Sequence, residues 1–60
     1  MKNLKELRKK QGLRQVDVAK KLNVSRVAVS KWENGVSSPK TQLLPKLAKV
    51  LRCQISDFLY

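Results

Sequence analysis

Residues 15–35 read QVDVAKKLNVSRVAVSKWENG, and this stretch decides the fold. Val18, Ala19 and Leu22 recur at helical spacing, and Val29 and Trp32 stand at i and i+3 in a second helical run. Asn23 falls between the two runs, where the chain must turn sharply. Among residues with a Cβ, asparagine best tolerates the left-handed conformation that ends many helices. Ser25 follows as a side-chain cap for the second helix. Ala19 is small enough to let two helices cross closely in a helix-turn-helix. The outer face of the second helix carries Arg26, Val27, Ala28, Ser30 and Lys31. On a chain of net charge +10, such a face points to the major groove of DNA.

The bulk properties agree. Fourteen lysines and arginines face four acids, which favours a polyanionic partner. Residues 1–31 hold ten basic and two acidic side chains, whereas residues 32–60 hold four and two. The basic surface therefore belongs mainly to the first three helices. Sixty residues allow one domain, 1–60, with one small and mostly aliphatic core. Cys53 is the lone cysteine and there is no histidine, so an internal disulfide and a Cys/His zinc site are both excluded. Cys53 lies in an apolar run and reads as a small core residue. No apolar run approaches the roughly 20 residues of a membrane span, and Met1-Lys2-Asn3-Leu4 does not lead into a signal-peptide core. The expectation is a cytoplasmic protein with no cofactor, no metal and no membrane partner. It is not expected to be an enzyme: histidine is absent, acids are few, and no nucleophile has a base near it.

Working outward, helix one is predicted from a cap at Asn3 to Gln11, with Leu4 and Leu7 inward and Gly12 as its stop. Helix two spans Gln15 to Leu22, and helix three Ser25 to Asn34 with Gly35 terminating it. Pro39 bars continuation. Helix four is predicted from Thr41 as cap to Leu51, with Leu43, Leu44, Leu47, Ala48 and Leu51 as its stripe and Pro45 at the end of the first turn. A short helix from Ile55 to Leu59 closes the domain with Ile55, Phe58 and Leu59. Nothing reads as a strand.

This pattern resembles the Cro and phage-repressor type of helix-turn-helix, the Xre-like family. The resemblance is carried by Gln15, Val18-Ala19-Lys20-Lys21-Leu22, Val24-Ser25, Val29-Ser30-Lys31-Trp32-Glu33-Asn34-Gly35 and Leu47-Ala48-Lys49-Val50-Leu51, and it covers roughly Leu4 to Leu59. Asn23 stands where the family usually has glycine, and Pro45 lies inside the fourth-helix region. The implied fold is all-α, a compact lambda-repressor-like bundle of four to five helices with the helix-turn-helix in helices two and three.

Arg26, Val27, Ala28 and Lys31 are the candidates for base contact. Arginine and lysine donate to guanine O6 and N7, and valine or alanine meets a thymine methyl. Arg26 or Lys31 alone reads as an ordinary solvated helix residue; within this motif the reading shifts to base or groove contact. Gln15 opens helix two, where its side chain and amide are placed to meet a phosphate; the resemblance adds that it props the recognition helix. Asn34, with the amides of the Gly35–Val36 loop, is a second phosphate candidate. Arg14, Ser25, Ser30, Ser37 and Lys40 complete the backbone-contact set. Glu33 is an acid beside the DNA-facing surface, and Arg8 is its expected partner in a structural pair that holds helix three at its angle.

The function expected is a sequence-specific regulator, a repressor that reads double-stranded DNA as a homodimer on a two-fold operator. Dimerisation is expected through the C-terminal helices, where Arg52, Gln54, Phe58 and Tyr60 lie in the least charged part of the chain. The alternative is an antitoxin or phage or plasmid control protein that binds DNA and a small protein partner with the same fold. A third reading is a sequence-indifferent polyanion binder, driven by charge alone.

Overall fold

Asn23 makes the turn on which everything else is hung. The computed structural model describes residues 1–59, in the order α1 (Leu4–Lys10), α2 (Gln15–Leu22), α3 (Arg26–Glu33), a 3₁₀ turn (Thr41–Leu43) that runs into α4 (Leu44–Leu51), and α5 (Ser56–Leu59). There is no strand among the described residues. At the end of α2, Asn23 adopts φ 57°, ψ 45°, and the Val24 amide donates back to the Ala19 carbonyl at 2.9 Å. This closes the helix with a left-handed residue. Ser25 then takes an extended backbone, and its Oγ accepts the Ala28 amide at 3.1 Å. The turn and the cap are built from the residues whose chemistry predicts them. Gly35 ends the α3 region at φ +73° with open space around it, so its requirement is conformational rather than steric.

Val18, Ala19 and Leu22 of α2 meet Val29 and Trp32 of α3, Leu47, Ala48 and Leu51 of α4, Leu4 and Phe58 in one core. Phe58 has no exposed surface. Burying a side chain of that size contributes about 1.5–3 kcal/mol. The Lys2 amide donates to the Phe58 carbonyl at 2.9 Å, which ties the two ends of the chain together. No helix among the described residues is long and apolar enough to cross a membrane.

Several boundaries differ from the sequence reading, each for a local reason. Asn3 precedes α1 but does not cap it with its side chain. Capping wants an extended backbone, whereas Asn3 is left-handed at φ 64° and its Nδ2 donates instead to the Asp57 carbonyl at 3.2 Å. Thr41 opens a 3₁₀ turn rather than α4. This delays the α-helix until Leu44 and makes Pro45 its second residue, where a missing amide costs nothing. Leu43 and Leu44 are accordingly half-buried, packed on the core from its edge. α5 begins at Ser56, after the Gln54 amide donates to Asp57 Oδ2 at 2.8 Å. Leu59 is 36% exposed and does not join Phe58 inside. Conversely Phe58, expected at an intermolecular surface, is wholly consumed by the core. Tyr60, expected beside it, lies outside the described residues.

Candidate nucleic-acid interface

An eight-residue helix with Val29 and Trp32 buried has its opposite face free, and α3 presents Arg26, Val27 and Lys31 there. Val27 is 52% exposed, a large apolar side chain held out in water on a helix whose other valine is in the core. Ala28 departs from the sequence reading. It is half-buried and packs against the core cluster, because it stands only 100° around the helix from Val29 and its amide is pinned by Ser25. Its methyl therefore has little surface left for a thymine.

The angle of α3 is fixed by a chain of polar contacts that starts inside the protein. Arg8 of α1 donates from Nε to Glu33 Oε2 at 2.6 Å and from Nη2 to Glu33 Oε1 at 3.2 Å. Its Nη1 donates to the Leu13 carbonyl at 2.9 Å. The two side chains are only 10% and 4% exposed. Gln15 Nε2 donates to Glu33 Oε1 at 3.0 Å, and Gln15 Oε1 accepts Arg26 Nη1 at 3.3 Å. Burial pushes the Glu33 carboxyl upward, but donation by Arg8 and Gln15 and the charge of Arg8 outweigh it and leave the group below its ordinary value. Glu33 is thus a buried, fully partnered carboxylate, and no buried polar side-chain atom among the described residues lacks a partner. Gln15 joins the exposed Arg26 to this anchor, which occupies both polar ends of its side chain.

The remaining candidates divide by whether their polar atoms are free. Lys31, Asn34, Ser37 and Lys40 are exposed. Asn34 Nδ2 makes a long 3.4 Å contact to Ser30 Oγ, and Ser25 Oγ is engaged as the cap of α3. The Gly35 and Val36 amides, expected to point at phosphate, turn inward instead. They donate to the Trp32 and Lys31 carbonyls at 3.3 and 2.9 Å, because the end of α3 needs those acceptors satisfied. Arg14 is 77% exposed but paired with Asp17 at 3.1 Å, and Asp17 also accepts the Arg14 backbone amide at 2.7 Å. Hydrogen bonding from Arg14 holds the Asp17 carboxyl low, and Asp17 in turn raises Arg14. The sequence reading missed this acid. Its signal was an acidic residue in the first turn of α2, three after the cap position. Cys53 is half-buried against the core, and burial, then Asp57, pushes its thiol up. No cluster of metal-ligating side chains occurs among the described residues.

The result is a cationic, convex helix face backed by a rigid interior, with one apolar side chain between two basic ones. The helix-turn-helix family profile matches residues 4–58. Over 43 residues, 72% of the chain, the sequence is 44% identical to antitoxin PezA of Streptococcus pneumoniae serotype 4 (strain ATCC BAA-334 / TIGR4). The match takes in 27% of that protein, so the chain spans about a quarter of the length of this curated relative.

Proposed function

From the premise that this chain belongs to the Cro/phage-repressor type, Xre-like family of helix-turn-helix proteins, we propose that it is a sequence-specific DNA-binding repressor. It reads the major groove with α3. The observation that carries this reading is the exposed row Arg26, Val27 and Lys31 on a helix locked from behind by Trp32 and by the Arg8–Glu33 pair. Arg26 and Lys31 donate to guanine edges, and Val27 covers a thymine methyl. The Gln15 backbone amide, with Asn34, Ser37 and Lys40, positions the domain on the phosphates without reading bases. Arg14 joins them once its exposed pair with Asp17 opens.

One helix covers too few base pairs to mark a genomic site, so the working form is a homodimer on a two-fold operator. Phe58 is unavailable, which leaves Arg52, Gln54 and Leu59, all exposed, as the C-terminal surface for that contact. Such a regulator acts in the cytoplasm. Selection of bound sequences from random duplex DNA tests the proposal. Enrichment of an inverted repeat with half-sites about one helical turn apart is expected; uniform recovery of all sequences refutes it. The similarity to an antitoxin favours a second reading, in which the protein also binds a protein partner. A small protein that co-purifies in fixed stoichiometry and alters DNA affinity would establish it.

A further inference from the structure

An open groove of about 690 Å³ runs between the C-terminal end of α2 and the outer side of α4, lined by Lys21, Pro45, Lys46, Lys49, Val50 and Arg52. Four of the six are cations and none is an acid. The two ion pairs among the described residues, Arg8–Glu33 and Arg14–Asp17, reach none of them. Lys49 and Arg52 suit the negative end of the α4 dipole, but this does not account for the other two. Lys46 is the third residue of α4, at the end of the helix that repels a cation, and Lys21 arrives from a different helix. Between the cations lie exposed Pro45 and half-buried Val50, so the groove has apolar surface set among its charges.

The groove is separate from the reading face. Lys21 is six residues beyond Gln15, which places it about 9 Å further along α2 and about 240° around it. We propose that this groove docks an acidic amphipathic segment of a partner protein, with carboxylates on Lys21, Lys46 and Lys49 and apolar side chains on Pro45 and Val50. Charge complementarity selects an anion, and the apolar residues select a peptide over a phosphate backbone, which would meet the cations and leave Pro45 and Val50 uncovered. This binding is independent of DNA reading by α3.

The test uses the full chain and three labelled probes: a 15-residue helical peptide of glutamates with a leucine stripe, a polyglutamate of equal length, and a 20-base-pair duplex. The leucine-striped peptide binds at least tenfold more tightly than polyglutamate. Its amide shift changes map to Lys21, Lys46, Lys49 and Val50. The double variant Lys46→Glu with Lys49→Glu, all surface changes, loses the peptide at least tenfold while keeping its melting temperature and its duplex affinity to within threefold. Equal binding of both peptides, shift changes centred on α3, or displacement of the peptide by duplex overturns the proposal. A double variant that loses duplex affinity as strongly as peptide affinity assigns the groove to DNA, and overturns it too.

Discussion

Replacing Arg8 with methionine removes the partner of a carboxylate that is only 4% exposed and takes away two of its three hydrogen bonds, leaving Gln15 alone. Breaking a buried pair from one side costs about 3–5 kcal/mol. A domain of 60 residues holds about 3–9 kcal/mol in total at 0.05–0.15 kcal/mol per residue. Arg8→Met is therefore expected to be largely unfolded near 37 °C. Adding Glu33→Leu removes the stranded charge and restores most of the loss, because an apolar pair of similar size is often neutral. The pH dependence separates this account from simple loss of packing. In the parent the folded Glu33 carboxyl lies below its unfolded value, so its contribution is present above the unfolded value, about 4.3, and is lost as pH falls through the folded one. In Arg8→Met, burial is opposed only by the Gln15 hydrogen bond and the charge of Lys5, so the folded value is expected to rise from its place in the parent. The variant therefore loses less stability than the parent on acidification. Thermal melts followed by Trp32 fluorescence at pH 7, 5.5 and 4 should show the gap between parent and variant narrowing on acidification. A gap that is constant with pH, or a double variant no more stable than Arg8→Met, refutes the reasoning.

Trp32→Ala, at a site 5% exposed in the middle of the core, costs about 3–5 kcal/mol, and circular dichroism at 25 °C will show the loss of cooperative unfolding. Arg52→Gly relieves a left-handed residue at φ 53°. Relief of about 1–2 kcal/mol less the entropic cost of glycine, about 0.5–1, leaves a gain of about 0–1.5 kcal/mol, visible as a higher melting temperature; a lower one means that Arg52 makes contacts that hold the end of α4. Gln15→Ala frees Arg26 from the Glu33 anchor, so competition between duplexes will show relaxed preference at the guanine facing Arg26 as well as weaker binding overall.

The sequence displays what is local and periodic. Val18, Ala19, Leu22, Val29 and Trp32 announce their burial by spacing, Asn23 and Ser25 announce the turn by their own backbone chemistry, and the pairing of Arg8 with Glu33 is implied by the family resemblance and by the need to neutralise an acid beside a DNA-facing surface. Features that depend on a third element are hidden. Nothing in Asn3 shows that Asp57, 54 residues away, will hold its side chain. Phe58 and Leu59 are adjacent apolar residues, and only the approach of α1 and α4 decides which goes inside. Ala28 is on the edge of a face whose width is set by its neighbours. The inward turn of the Gly35 and Val36 amides follows from how α3 ends, a matter of single dihedral angles that a pattern of residue types does not encode. Likewise Gln15 is legible as a helix opener, but its place between Arg26 and Glu33 exists only once α2 and α3 have crossed.

The central claim is that α3 reads bases through Arg26, Val27 and Lys31. It is tested most directly by measuring Arg26→Ala, Val27→Ala and Lys31→Ala against a panel of duplexes carrying every single-base change in the selected half-site. Each variant is predicted to lose about 1–3 kcal/mol on the preferred duplex and to lose discrimination at one position, different for each. If all three weaken every duplex equally and leave the preferences at every position intact, α3 is not the reading element.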